Sequence, residues 1–139
     1  MGRVLALDYG QKRVGVAVTD ELQMIANALT TVHSKDIWDF LKTYLAREKV
    51  DCIVVGEPRQ MNNMPSESAK FIEPFVKQLK KLYPDMEIKR IDERFTSKMA
   101  SATMLAAGLK KKDRQNKETI DTISACIILQ SYLETKNVF

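Results

Sequence analysis

The first nineteen residues restrict the fold more than any other part of the chain. Residues 4–8 read Val-Leu-Ala-Leu-Asp, a run that is apolar on both faces, as expected of a central strand. Residues 13–19 form a second strand-like run, and only residues 9–12 (Tyr-Gly-Gln-Lys) separate the two. Parallel strands need a crossover of about a dozen residues or more, so this short connection predicts an antiparallel hairpin. An all-parallel, doubly wound sheet is therefore disfavoured.

The rest of the chain alternates strand and helix patterns. Short apolar or alternating runs indicate strands, and apolar residues spaced three to four apart indicate helices with one buried face. The predicted elements are strands over 26–32, 52–56 and 86–91, and helices over 37–49, 66–82, 97–107 and 119–134. Each strand–helix–strand sequence predicts a parallel crossover. We therefore expect an α/β fold with a five-stranded mixed sheet, an antiparallel meander joined to a parallel half, and helices on both faces.

Length and composition narrow the class of protein. A chain of 139 residues predicts a single domain over 1–139. No apolar run approaches the roughly 20 residues that span a bilayer, so no membrane partner is expected. The amino terminus enters a strand without the layout of a signal peptide, which predicts a cytoplasmic protein. Cys52 and Cys126 lie in apolar runs and His33 is the one histidine. We expect buried, reduced thiols and disfavour a zinc site of Cys and His ligands.

The charge of the chain favours a polyanionic partner. The net charge is +4 and the isoelectric point is about 9.1. A basic run concentrates part of this charge within eight residues: Lys110, Lys111, Lys112, Arg114 and Lys117. Such a run can attract phosphates, and it can equally be a solvated loop. Composition alone leaves both interpretations open.

Three carboxylates lie at the ends of predicted elements: Asp8, Glu93 and Asp121. Each has an ordinary interpretation when it is taken alone. Asp8 can cap the turn that follows it, Glu93 can pair with Arg94, and Asp121 can interact with the helix dipole in the first turn of the last helix. Parallel strands carry binding sites beyond their carboxyl ends, so Asp8 and Glu93 can share one edge of the sheet.

The last helix can bring the third carboxylate to the same edge. Ser124 and Ala125 follow Asp121 by three and four residues and share its face of the helix. Small residues on that face allow the helix to approach the sheet closely. Converging carboxylates attract Mg²⁺ or Mn²⁺, which prefer oxygen ligands. A pair of such ions about 3.5–4 Å apart supports phosphodiester cleavage without a histidine.

Five short motifs, in order along the chain, carry a resemblance to a known family. They are Leu5-Ala6-Leu7-Asp8-Tyr9-Gly10, Arg13-Val14-Gly15-Val16-Ala17, Val54-Val55-Gly56-Glu57-Pro58, Asp92-Glu93-Arg94-Phe95-Thr96-Ser97 and the run from Asp121 to Leu129. The ordered set resembles the YqgF family, also called RuvX, of nucleases similar to Holliday-junction resolvases. The resemblance spans essentially the whole chain and implies a ribonuclease H-like fold.

The resemblance also implies a function and a site. It implies a metal site formed by Asp8, Glu93 and Asp121, with these residues also catalytic. It implies processing of the 5′ end of the small-subunit ribosomal RNA precursor (pre-16S rRNA) in the cytoplasm, with junction-shaped DNA as another substrate. A monomer or a homodimer is expected, because a nuclease that acts on a two-fold junction would be expected to dimerise.

One residue departs from the family pattern. Glu57 stands in Gly56-Glu57-Pro58, where the family commonly has leucine. Glu57 follows the strand over 52–56, which we expect beside the first strand, so it can lie nearer Asp8 than Glu93 does. Glu57 can join the metal site, replace Glu93 in it, or belong to a solvated loop. Around the acids, substrate phosphates are expected to contact several basic side chains, because lysine and arginine position a nucleic acid without reading its sequence. These are Lys12, Arg13, Arg94, Lys110, Lys111 and Lys112.

Two other functions are compatible with parts of the pattern. The hairpin after Asp8 also resembles the phosphate-binding hairpin of the actin and sugar-kinase ATPases. Those proteins close two domains around a nucleotide, and 139 residues cannot supply both. A non-catalytic RNA-binding module is the other alternative. Tight RNA binding that needs no divalent ion and survives loss of all three acids would favour it.

Overall fold

A five-stranded sheet with the strand order β3-β2-β1-β4-β5 organises the chain. The structure, a computed structural model, describes residues 2–10, 12–57, 69–92 and 117–136. The strands are β1 (Arg3–Tyr9), β2 (Arg13–Thr19), β3 (Ala26–His33), β4 (Val50–Glu57) and β5 (Glu87–Asp92). The helices are α1 (Ile37–Arg47), α2 (Ala69–Leu82) and α3 (Lys117–Lys136), and a short 3₁₀ turn (Ser34–Asp36) precedes α1. The helix predicted over 97–107 lies outside the described residues.

The hairpin predicted from the first nineteen residues is confirmed. β1 and β2 pair antiparallel, from Leu5 opposite Val18 to Tyr9 opposite Val14. The turn is closed by the Gly10 amide, which donates to the Arg13 carbonyl at 2.9 Å. β3 continues the meander on the far side of β2. The antiparallel half of the sheet excludes the doubly wound alternative.

The parallel half begins on the other side of β1. β4 pairs with β1, and β5 pairs with β4, both in parallel. The carboxyl ends of β1, β4 and β5 therefore meet at one edge, which we call the carboxyl edge. Asp8, Gly56 and Asp92 lie close to the strand ends there. The sequence placed β4 beside β1, and the register confirms this arrangement.

Helices cover both faces of the sheet, as predicted. On one face, alternate residues of β1 such as Leu5 and Leu7 pack in a core cluster with residues of α1 and α2. On the other face, Val4 and Ala6 pack in a second cluster with α3. Small side chains make up most of the contact between α3 and the sheet, and Ala125 is fully buried there. Among the described helices, none combines the length and apolarity that a membrane span needs.

Two element boundaries differ from the predictions for one reason. α1 ends at Arg47 rather than Lys49, and β4 begins at Val50 rather than Cys52. The Arg3 amide donates to the Lys49 carbonyl at 2.9 Å, and Arg3 pairs with Val50. This pairing draws the backbone out of the helix and into the sheet. It is a contact between residues far apart in sequence, so local periodicity could not reveal it.

Gly10 provides a test of the hairpin turn. A Cβ at this position would lie 2.7 Å from the Arg13 carbonyl oxygen, a backbone atom that cannot rotate away. We expect Gly10→Ala to lower the free energy of unfolding by about 1–3 kcal/mol, because the turn must shift. Chemical denaturation followed by circular dichroism measures the change. An unchanged midpoint and slope would contradict the close approach of Gly10 to Arg13.

Candidate active site at the carboxyl edge

Asp8 is the next-to-last residue of β1 and is half-buried at the carboxyl edge. Side chains alternate between the faces of a strand, and Val4 and Ala6 pack against α3. Asp8 therefore shares their face, the one that α3 covers. The hydrogen-bonded ladders to β2 and β4 on both sides of β1 fix the backbone that carries this carboxylate. A rigid strand end positions a catalytic side chain more accurately than a loop does.

Glycines occupy the positions beside Asp8 on both neighbouring strands. Gly15 lies directly opposite Asp8 in the antiparallel ladder. Leu7 pairs with Val55, so the next step of the parallel register brings Asp8 alongside Gly56. Both glycines are buried, and neither places a side chain next to the carboxylate. A glycine within a strand often marks a close approach by a ligand or another backbone, which matches a site for ions and phosphate here.

The carboxyl half of α3 lies against the parallel half of the sheet. Burial, the largest cause, raises the pKa of Tyr132 to about 12, and its hydrogen bond to Cys52 and the nearby Glu87 carboxylate add to the shift. Cys52 belongs to β4, and Glu87 begins β5. Asp121 precedes Tyr132 by eleven residues, about 16 Å along the helix at 1.5 Å per residue.

Asp121 lies two residues deeper in its helix than the sequence predicted. The prediction began the helix at Thr119, whereas α3 begins at Lys117, so Asp121 is its fifth residue. Lys117 and Glu118 are good helix formers and extend the helix toward its amino terminus. The macrodipole effect falls off beyond the first turn, so it accounts less well for an aspartate here. The side chain of Asp121 lies outside the described residues.

The other predicted site residues have their side chains outside the described part of the chain. Glu93 follows Asp92, the last residue of β5, and the backbone of Glu57 ends β4 in register with Asp92. Arg94, Lys110, Lys111 and Lys112 fall between residues 93 and 116. Within the described residues, no group of three or more His, Cys, Asp or Glu side chains is placed to hold a metal ion. The complete three-carboxylate set thus stays a prediction.

Two predicted substrate-binding residues lie at the end of the β1–β2 hairpin. Lys12 is exposed in the turn, and its carbonyl accepts a hydrogen bond from the Ser34 amide at 3.0 Å. Arg13 is half-buried and begins β2. It is two residues from Gly15 and shares that residue's face of the sheet, the face of Asp8. The hairpin therefore brings two positive charges to the carboxyl edge.

Sequence reasoning missed the two flanking glycines and Arg90. A signal for the glycines was present, because isolated glycines in otherwise β-branched strands are unusual. Arg90 donates through Nη1 to Glu73 Oε1 of α2 at 3.0 Å. Its Nε and Nη2 are buried without a hydrogen-bond partner among the described residues. Arg90 faces α2, on the opposite side of the sheet from Asp8, so we do not assign it to the site.

The cysteines are structural, as predicted. Cys52 and Cys126 are free thiols, 3% and 2% exposed, in the cluster formed by α3 and the sheet. Burial raises the pKa of Cys126 to about 11. A thiol with such a pKa is protonated near neutral pH and is a poor nucleophile or metal ligand.

Comparison with known proteins places this geometry in a family. Residues 2–135 match the family model described as "RuvX: Holliday junction resolvase". A Bacteroides fragilis protein is 59% identical over 138 residues, covering 99% of this chain and all of the relative. A Flavobacterium johnsoniae protein is 58% identical over 136 residues, covering 98% of this chain and 99% of the relative. Both relatives carry the name "Putative pre-16S rRNA nuclease".

Solved structures agree on the fold. The T. thermophilus RuvC in complex with a Holliday junction substrate matches with a TM-score of 0.61 and 14% identity, covering 99% of this chain and 98% of that one. The fowlpox virus Holliday junction resolvase matches with a TM-score of 0.55 and 17% identity, covering 96% and 99%. The fold is ribonuclease H-like. The chain belongs to the RuvX family of nucleases, which are hydrolases acting on phosphodiester bonds.

Proposed function

We propose that this chain is a metal-dependent nuclease of the cytoplasm that cleaves pre-16S rRNA at the carboxyl edge of its sheet. Asp8, Glu93 and Asp121 form the catalytic and metal-binding set. The position of Asp8 carries the proposal. It is a carboxylate at the end of a central strand, on the face of the sheet that packs against α3, and glycines border it on both neighbouring strands.

The residues suit a hard divalent ion. Asp8, Glu93 and Asp121 offer oxygen ligands alone, the type that Mg²⁺ and Mn²⁺ prefer. Glu93 directly follows Asp92, the last residue of β5, in the sequence. The chemistry that a bound ion supplies is a lower pKa of water and stabilisation of the developing negative charge on phosphoryl oxygens. Glu57, at the adjacent end of β4, is a candidate fourth ligand.

The protein itself contributes position and charge. β1 fixes the Asp8 backbone through its ladders, while Gly15 and Gly56 keep side chains away from the place where ions and a phosphate must fit. Lys12 and Arg13 hold positive charge at the same edge. These two residues, with Arg94 and the basic run, are proposed to bind the phosphates that flank the cleaved bond.

The proposed substrate comes from the curated relatives. They match nearly the full length of this chain at 54–59% identity and are named for pre-16S rRNA. Junction-shaped DNA is the second candidate, because the family description and the RuvC complex both involve a Holliday junction. Cleavage of a two-fold junction would call for a homodimer, whereas a monomer suffices for one RNA strand.

A direct assay separates these candidates. Purified protein is incubated with a labelled pre-16S rRNA fragment or a four-way DNA junction, in Mg²⁺, Mn²⁺ or EDTA. We expect RNA cleavage that requires a divalent ion, with product ends that distinguish endonuclease from exonuclease action. Junction cleavage without RNA cleavage would favour the resolvase activity. RNA binding in EDTA without any cleavage would favour a non-catalytic assembly factor.

The basic run gives a second prediction. Replacing Lys110, Lys111 and Lys112 together by alanine should weaken RNA binding and flatten its salt dependence. Loss of three phosphate contacts should reduce the slope of log K against log salt by about 2, since each contact to a single strand contributes about 0.7. Filter binding over a range of KCl concentrations measures the slope.

A matched control removes the same charge elsewhere. Lys77, Lys80 and Lys81 are exposed on α2. α2 packs on the face of the sheet opposite to that of Asp8, so these lysines lie on the other side of the sheet from the proposed site. Their triple alanine variant should change the slope far less. Equal salt-dependence slopes for the wild type and the Lys110, Lys111 and Lys112 variant would indicate that the basic run is a solvated loop and does not bind phosphate.

A further inference from the structure

The nuclease site proposed above does not use the side chain of Tyr9, the residue directly after Asp8. Tyr9 ends β1 and pairs with Val14, and both residues belong to the core on the face of α1 and α2. Successive side chains of a strand point to opposite faces, so the Tyr9 ring lies across the carboxyl edge from the Asp8 carboxylate. The two Cα atoms are only about 3.8 Å apart. A nucleic acid strand that crosses this edge at Asp8 therefore also passes Tyr9.

Aromatic contacts hold the Tyr9 ring in one orientation. Its centroid lies 4.3 Å from that of Phe75 in α2, and the two ring planes differ by 18°. Phe75 is 4% exposed and also contacts Trp38 of α1, with the centroids 5.0 Å apart. Tyr9 itself is half-buried, so it is partly open to solvent. A buried ring on one face and partial exposure suit Tyr9 to accept another planar group on its opposite face.

The hairpin turn places positive charge beside this ring. Lys12 is exposed in the turn, and Arg13 begins β2. Residues 9–13 and 33–39 together contain three cations and two carboxylates. This excess is small, so charge alone does not identify the ligand. The identification comes from the ring, because it stands between a proposed phosphodiester site and cations that can contact the phosphates on either side.

A nucleobase is the planar group that fits this arrangement. Proteins that bind single strands combine a positively charged path for the backbone with aromatic side chains on which bases stack. Such stacking tolerates every sequence, since every base has a π-face. A base within a duplex is paired and is already stacked between its neighbours, so it must first be extruded, at an energetic cost, before a protein ring can reach it.

We propose that the Tyr9 ring stacks on one unpaired base of the substrate, close to the phosphate at Asp8, and that the site therefore takes single-stranded RNA. This inference rests on the proposed binding of RNA at the carboxyl edge. Phe75 keeps the ring in place before the RNA arrives, which lowers the entropic cost of stacking. The paired arms of a DNA junction offer no free base, so they do not engage Tyr9.

The test compares three ligands of equal length in EDTA, which separates binding from cleavage. They are oligouridine of about eight nucleotides, an abasic oligomer with the same ribose-phosphate backbone, and an RNA duplex. Tyr9→Leu should raise the Kd of oligouridine at least about fivefold, because a stacked base is lost. It should leave the Kd values of the abasic oligomer and the duplex within about twofold of the wild type. This difference between ligands is a coupling between ring and base that lost packing alone does not produce.

Two variants control for packing. Tyr9→Phe keeps the ring and should bind oligouridine within about twofold of the wild type. Phe40→Leu is the matched control, because Phe40 is also half-buried and stacks on a neighbouring ring, that of Tyr44 within α1. It should bind all three ligands as the wild type does. The emission of Trp38, the single tryptophan, checks that each free variant keeps the aromatic cluster.

A measurement on the wild type needs no variant. An oligouridine that contains 4-thiouridine, irradiated in the complex, should form a crosslink that mass spectrometry locates at Tyr9. Crosslinks confined to other residues would overturn the proposal. So would an equal Kd of oligouridine for the wild type and Tyr9→Leu, or an equal loss of affinity for all three ligands, which would indicate that Tyr9 only packs.

The nuclease proposal can fail separately. A wild type that cleaves nothing in Mg²⁺ or Mn²⁺ but shows the expected differences between ligands would refute cleavage and keep the stacking of Tyr9 on RNA. A wild type that cleaves RNA, with no effect of Tyr9→Leu on oligouridine binding, would keep the nuclease and refute the stacking.

Discussion

Replacement of Asp8 by asparagine should reduce RNA cleavage at least about a thousandfold, equal to roughly 4 kcal/mol of transition-state stabilisation. Asparagine has nearly the same shape as aspartate, but it lacks the negative charge that holds a divalent ion. Asp8 is half-buried, and the ladder at the end of β1 fixes the position of its backbone. The free energy of unfolding should change by less than about 1 kcal/mol.

The Asp8→Asn experiment needs a measure of metal binding as well as of activity. Isothermal titration with Mn²⁺ should show weaker binding, whereas RNA affinity in EDTA should stay close to that of the wild type. Asp39→Asn is the matched control, since Asp39 is exposed on α1. It should behave as the wild type in every assay. Full cleavage activity in Asp8→Asn would refute the proposed site.

Side chains introduced at Gly15 should block the site while the protein still folds. Paired residues of an antiparallel ladder have Cβ atoms about 4.5–5.5 Å apart, so a valine at position 15 stands beside the Asp8 carboxylate. We expect Gly15→Ala to reduce kcat about tenfold and Gly15→Val at least about a hundredfold, because ion and phosphate lose their space. Valine itself favours strands, so the backbone should tolerate the change.

A control in the same strand separates blocking from destabilisation. Ala17 pairs with Ala6 on the same face, one step further from the carboxyl edge, and packs in the cluster beneath α3. Ala17→Val should destabilise the protein by about 1–3 kcal/mol through overpacking yet leave kcat nearly unchanged. Thermal unfolding and steady-state kinetics on all three variants provide the comparison. Wild-type kcat in a folded Gly15→Val variant would place the reaction elsewhere.

Local chemistry explains which parts of the fold were predictable. The four-residue connection after Asp8 predicted an antiparallel hairpin, and apolar spacing located α1, α2 and α3 to within two or three residues of their observed bounds. The sequence predicted that the site lies at the end of the first strand, but it did not predict which residues lie beside Asp8. Asp8 could be placed at a strand end from its neighbours, but Gly15 and Gly56 could be placed beside it only once the register was known.

The sequence by itself determined the elements, the hairpin, the chemistry of the acids and, through its motifs, the family. Tertiary structure decided the register of the strands and the face of the sheet on which Asp8 and α3 both lie. It also brought Gln23, which lies between β2 and β3, within hydrogen-bond distance of Asp51, 28 residues later in the sequence. The physical reason is that periodicity and turn length act over a few residues. Register, facing and surface charge depend on hydrogen bonds and packing between residues that are distant along the chain.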